Sequence, residues 1–146
     1  MTNIQSFITE IFESQKVLIL QSKEGFAITF SEEFEYEDER QLEGICFWSS
    51  AEKAEQAKQN QWQNHQIETL NLTDFIEQWL IGMFEEVSLA GINFDAEGKG
   101  EEMVPLDLLL EIANFGIKNN TKLTFQHFKS FKDLREQIIE LKEQEE

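Results

Sequence analysis

The chain has a single cysteine, so no internal disulfide can form, and an intracellular, cytoplasmic setting is the expectation. It has two histidines, His65 and His127. Neither has a cysteine, histidine or carboxylate at the spacings that make zinc sites recognisable, so no metal and no cofactor is expected. No apolar run approaches the roughly 20 residues needed to span a bilayer. The N-terminus carries Glu10 and Glu13 and lacks the basic-then-apolar order of a signal peptide. A glycine-rich phosphate loop, a Ser/His/Asp set and a dinucleotide fingerprint are all missing. Positive charge is the scarcest commodity: 12 Lys and Arg stand against 29 Asp and Glu, a net charge of -17. Such an excess repels nucleic acid and anionic membrane, and it suits a basic protein partner. Trp48, Trp62 and Trp79 fall at expected core positions and are not interleaved with Lys or Arg, which argues against a base-stacking surface.

What is present is enough for a core. The chain is 40% hydrophobic, has 13 phenylalanines, and at 146 residues is long enough for one domain with a small appendage. The charge is uneven. Residues 1–115 hold 6 basic and 23 acidic residues, whereas residues 116–146 hold 6 of each. The expected division is therefore an acidic α/β domain over 1–115 and an extension over 116–146.

The organising stretch is Gly44-Ile45-Cys46-Phe47-Trp48-Ser49-Ser50-Ala51-Glu52. Ile45 to Trp48 reads as a strand buried on both faces. Ser49 has Glu52 three positions on, the spacing of a capping box, so a helix over about 50–60 is expected to start there. Before this corner, Ile4, Phe7, Ile8, Ile11 and Phe12 make one face of a helix over about 3–14. Val17 to Leu20 and Phe26 to Phe30 read as a hairpin about Ser22-Lys23-Glu24-Gly25, with Gly25 available for positive φ. Beyond it, Trp62 ends the helix or covers its apolar face, and Ile67 and Leu70 suggest a short strand. Thr73-Asp74 starts a helix over about 74–85 with Phe75, Ile76, Trp79, Leu80, Met83 and Phe84 on a wide apolar stripe. Residues 87–93 read as a further strand. Pro105 suits the first position of a helix over 105–115 that is apolar on two sides. Phe131, Leu134, Ile138 and Leu141 form a stripe on a helix of about 131–143, with Ser130 and Asp133 resembling its cap. That stripe is expected to dock on the second face of the 105–115 helix or on a partner, a homodimer through 131–143 included. The fold class that follows is α/β (α+β): a small mixed sheet of four to five strands with helices packed on it, plus a C-terminal helical extension.

Few residues point to chemistry. Cys46 lies inside the most apolar strand and reads as core. His65 lies in a polar run that reads as a solvated turn. The loop Asp95 to Glu102 lacks the ordered ligands of a calcium site, and Lys99 stands among them. Gly91-Ile92-Asn93 puts a polar side chain at the end of a buried strand, where α/β sheets tend to bind ligands. Asn93 also suits a plain turn.

The order Gly25-Phe26-Ala27, Phe47-Trp48-Ser49 leading into an Ala-containing helix, Trp62, Leu72-Thr73-Asp74-Phe75 through Trp79-Leu80, and Gly91-Ile92-Asn93-Phe94 resembles the bacterial family of domain of unknown function 2750 over about residues 5–115. Phe94 stands where that family more usually shows tryptophan, and the tail from Gly116 is an addition to its pattern. The resemblance implies a fold and no mechanism. The same run also resembles the SseB-like α/β domains, which implies a small mixed sheet with helices against it.

The functional expectation is a non-enzymatic acidic protein-binding module, immunity- or adaptor-like, with no nucleic-acid or membrane partner. Its expected contact surface is Glu32, Glu33, Glu35, Glu37, Asp38 and Glu39 together with Glu97, Glu101 and Glu102. The alternative is a small-ligand binder or enzyme with a pocket near Trp48, Ser49 and Asn93. A DNA mimic is a third reading, one that needs carboxylates spaced like phosphates along one face.

Overall fold

A computed structural model describes residues 2–35, 41–59 and 61–145. The chain opens with helix α1 (Asn3–Ser14). Thr2 caps it with a full capping box: the Thr2 hydroxyl accepts the Gln5 N–H at 3.1 Å, and the Gln5 side chain accepts the Thr2 N–H at 2.9 Å. Its stripe of Phe7, Ile8, Ile11 and Phe12 is buried.

Two short sheets follow, spliced into one surface. The first has the order β2–β1–β5, from β1 (Lys16–Ser22), β2 (Gly25–Phe26) and β5 (Gln66–Asn71), all antiparallel. The second has the order β3–β4–β6–β7, from β3 (Ile28–Glu35), β4 (Gln41–Phe47), β6 (Leu89–Ile92) and β7 (Glu101–Met103). Within it β4 and β6 are parallel and the other pairs antiparallel. Ala27 is the point of transfer: its N–H donates to Leu20 in β1 at 2.9 Å and its carbonyl accepts from Cys46 in β4 at 3.0 Å. Where the hairpin strand leaves β1, Leu18 and Trp48 close the gap with reciprocal backbone bonds of 2.9 Å each. The backbone groups of this buried junction are thus satisfied across both sheets.

Side-chain alternation along these strands feeds two clusters. On one face Val17, Ile19, Phe47, Ala90 and Ile92 meet α1, α3 (residues 72–86), α4 (Pro105–Lys118) and α5 (Phe131–Glu145). On the other, Leu18, Leu20, Ala27, Cys46 and Trp48 meet Ala54 and Ala57 of α2 (Ala51–Ala57), with Trp62 and Phe94. Trp62 follows the helix and stands edge-on to Trp48, ring centres 5.5 Å apart. Each large side chain removed from water in this way contributes roughly 1.5–3 kcal/mol before the entropy of ordering it is set against that.

The corner after β4 differs from the expected capping box. Ser50, not Ser49, caps α2, its hydroxyl accepting the Lys53 N–H at 3.2 Å. Ser49 is thereby released to other partners. In the same way Asn71 caps α3, accepting the Asp74 N–H at 2.8 Å, two residues before the expected start. The stretch read as a loop to Glu102 ends earlier, because Glu101 and Glu102 pair with Ile92 and Gly91 in β7. The middle of α3, Phe75–Leu80, is wound as a π-helix, longer than the single-turn bulges in which that winding usually occurs. Phe75, Ile76, Glu77 and Leu80 of this segment are all buried.

The tail helix α5 docks within its own chain. Phe131, Leu134 and Ile138 are buried in the large cluster, Phe131 lies 5.8 Å from Phe12, and Lys142 is paired with Asp107 of α4. Gly116 makes the approach possible, since a Cβ there would stand 2.6 Å from the Phe131 ring. The Glu77 carboxylate holds the intervening segment, accepting the backbone N–H of Gln126 at 3.1 Å and of His127 at 2.7 Å. Among the described residues no helix is long and apolar enough to cross a membrane.

Candidate functional site

β3, at Ser31 just before the expected acidic segment, meets the acidic loop at Glu102. The Ser31 hydroxyl of β3 donates to the Glu102 carboxylate of β7 at 2.7 Å, across a sheet whose rows are open at Gly44 and Gly91. Between them lies a cleft of about 540 Å³ with Thr29 and Phe30 on one side and Lys99, Glu101 and Glu102 on the other. The Phe94 ring forms part of its lining, held against Gly91 and Gly100. The 95–100 turn is built by Asp95, whose carboxylate accepts the N–H groups of Glu97 at 3.0 Å and Lys99 at 2.9 Å. Glu97 and Glu101 are exposed, and Glu102 is half-buried. Glu32, Glu33 and Glu35 lie on β3. Glu37, Asp38 and Glu39 fall outside the described residues.

Sequence reasoning missed the apolar part of this face. Among the described residues three large hydrophobic side chains are exposed, Ile28, Phe30 and Val87. Ile28 and Phe30, two apart on the outer strand of the sheet, share a face. Phe30 is 52% exposed. A signal existed in the alternation of 27–30: Ala27, the small residue, is buried and Ile28 and Phe30 are exposed, whereas Phe26 before them packs on Trp79.

The second expected site, at the carboxyl ends of parallel β4 and β6, is a clamp of polar side chains. Asn93 adopts the left-handed conformation with φ 49°, so it does form a turn. Its side-chain oxygen accepts the Ser49 N–H at 3.0 Å, and its amide nitrogen donates to the Ser49 hydroxyl at 3.1 Å. The Ser49 hydroxyl donates in turn to Glu10 of α1 at 2.9 Å. Lys53 of α2 pairs with both Glu10 oxygens, at 3.0 and 2.9 Å, and Asn3 donates to the Ile92 carbonyl at 3.1 Å. Trp48 is fully buried, its indole N–H donating to the Phe94 carbonyl at 2.8 Å.

Ser49 and Glu10 have the spacing of a nucleophile and its base, but not the electrostatics. Burial acts to raise the Glu10 pKa, and the hydrogen bonds from Lys53 and Ser49 outweigh it and hold the carboxyl below its usual range. A carboxylate stabilised in its ionised form is a poor proton acceptor. Cys46 is equally inert: burial first, and the Glu102 carboxylate second, push its thiol far above the usual thiol range. Among the described residues no group of three His, Cys, Asp or Glu side chains could hold a metal ion.

A model of the family described as "Protein of unknown function (DUF2750)" matches residues 4–112, from α1 into α4. No curated protein and no solved structure matches the chain.

Proposed function

The chain belongs to the DUF2750 family, whose description assigns no activity, and we propose that it is a non-enzymatic, acidic protein-binding module. The observation that carries this reading is exposed Phe30 on the outer strand, which lines the carboxylate-bearing cleft with Glu101 and Glu102, with exposed Ile28 two residues before it. An exposed aromatic rimmed by charge is the usual anatomy of a contact patch, in which the apolar side chain supplies affinity. The carboxylates select a basic partner and speed its approach. Charge on an outer strand also guards it against edge-to-edge aggregation, but a guard alone gives no reason to leave Phe30 in water. A module of this kind would act by masking or tethering a basic partner, an immunity- or adaptor-like role.

The test is selection of displayed peptides on the full chain, followed by affinity measurement against Phe30→Ala and Glu101→Gln. The expected result is enrichment of peptides that combine Lys or Arg with apolar residues. Their affinity should fall by roughly tenfold or more on loss of Phe30, the size of one well-buried contact. It should also fall with added salt. Enriched peptides that bind both variants as well as the parent would exclude this face.

A further inference from the structure

A second cleft, of about 740 Å³, lies between the β1–β2 turn and the segment that leads from α2 into β5. Its walls carry four carboxamides, Gln21, Gln61, Asn64 and Gln66, and the half-buried imidazole of His65. Gln21 and Gln66 oppose one another across the β1–β5 ladder. Among the described residues none of these four amide side chains has a hydrogen-bond partner. The more telling atom is His65 Nδ1, which is out of contact with solvent and has no partner either. Leaving such an atom unpaired costs roughly 1–3 kcal/mol, and buried polar atoms are as a rule satisfied by something the protein holds. The loop that presents the ring is fixed by the His65 N–H donating to the Trp62 carbonyl at 3.1 Å. Among the described residues the ring itself is held by no hydrogen bond, so turning it to meet a ligand breaks none.

The chemistry of the walls narrows the ligand. Each carboxamide offers a donor and an acceptor side by side, and a hydroxyl, which is donor and acceptor in one neutral group, answers both. The lining also carries one lysine, Lys23, against two carboxylates, Glu24 and Glu68, a balance that disfavours phosphates and carboxylates in a chain already at -17. We infer that this cleft binds a neutral polyhydroxylated ligand of the sugar class, with one hydroxyl bonded to His65 Nδ1. The site is separate from the β3 face and does not depend on the reading of that face.

The experiment is titration of the full chain, labelled with nitrogen-15, by glucose and maltose, with spermidine and inorganic phosphate as contrasting probes. The expected result is a saturable shift of the backbone amides of 21–24 and 61–68, together with a shift of the His65 Nδ1 resonance. The paired substitution Gln61→Ala and Asn64→Ala removes exposed side chains, so the fold should stand while saccharide affinity falls by roughly tenfold. Absence of any saturable saccharide shift overturns the proposal. So does a response to spermidine or phosphate alone. A saturable saccharide shift that leaves His65 Nδ1 unmoved, as when that atom is met by a bound water only, overturns the assigned contact.

Discussion

Glu10 and Glu77 are both carboxylates drawn into the fold from helices, and they are held in opposite ways. Glu10 is about a third exposed and has a cation, Lys53, on both oxygens. Glu77 is 8% exposed, and among the described residues its only partners are the two backbone N–H groups of Gln126 and His127. The first is an ion pair at the rim that ties α1 to α2 and, through Ser49 and Asn93, to the sheet ends. The second is an anion in a nest of successive amides, the same device by which backbones bind free anions. The difference lies in what each loses when cut. Removing Glu10 leaves a lysine that water can solvate. Removing Glu77 leaves two amide hydrogens beneath the tail with nothing to bond.

The largest expected effect is therefore at Glu77. Glu77→Ala should destabilise the fold by roughly 2–3 kcal/mol, the range for hydrogen bonds to a charged acceptor left unmade. It should also raise amide exchange across 119–130 more than elsewhere. Glu77→Gln should recover only part of this, since a carboxamide has one acceptor oxygen for two donors. Unchanged exchange in 119–130 would show that packing of Phe131, Leu134 and Ile138 holds the tail unaided.

Next in size is Gly116→Ala. In an exposed helix that change stabilises by about 1 kcal/mol. Here the new methyl would meet the Phe131 ring, and a loss of roughly 1–3 kcal/mol in a denaturant titration is expected. A gain would mean that α5 yields easily.

Lys53→Met should cost less, about 0.5–1 kcal/mol, because the pair is partly exposed and screened by salt. Its signature is in pH. The Glu10 carboxyl is depressed in the folded state, so its contribution is present above the unfolded carboxyl value, about 4.3, and is lost as pH falls through the lower folded value. Lys53→Met should flatten that acid limb, whereas the parent chain should gain stability as pH rises through it. An unchanged slope would break the contrast between the two carboxylates. Phe30→Ala should be the smallest, within about 0.5 kcal/mol for an exposed position, while removing the binding ascribed to it.

The elements that sequence patterning located well are those whose apolar residues repeat at one period. Helix α1 and helix α4 carry their stripes in plain view, and Pro105 stands at the start of α4. What patterning could not locate depended on partners remote in the chain. Ser49 has the spacing of a cap, but its N–H and hydroxyl are claimed by Asn93 and Glu10, and Ser50 takes the cap in its place. Glu77 looks like one more surface carboxylate on a helix until the tail folds over it. At the candidate contact face the charge was legible and the apolar centre was not. Whether Phe30 faces the core or solvent is decided by which neighbours its strand acquires, and among the described residues β3 pairs with β4 on one side only.

The splice between the two sheets bears on how the chain reaches its fold. Gly44 faces Leu89 in the parallel pair and Lys16 faces Asn71 in the long antiparallel one. Both closures join segments far apart in sequence, and each must overcome a large loop entropy before it is rewarded. The local pairs β3–β4 and β6–β7 can form early from near neighbours, and so can the hairpin around Ser22 to Gly25. Because Ala27 belongs to both sheets, that hairpin templates them together. Refolding should thus be slow for a chain of this length and should proceed without a stage in which one sheet stands alone. Stopped-flow measurement would reveal such a stage as a burst-phase loss of amplitude.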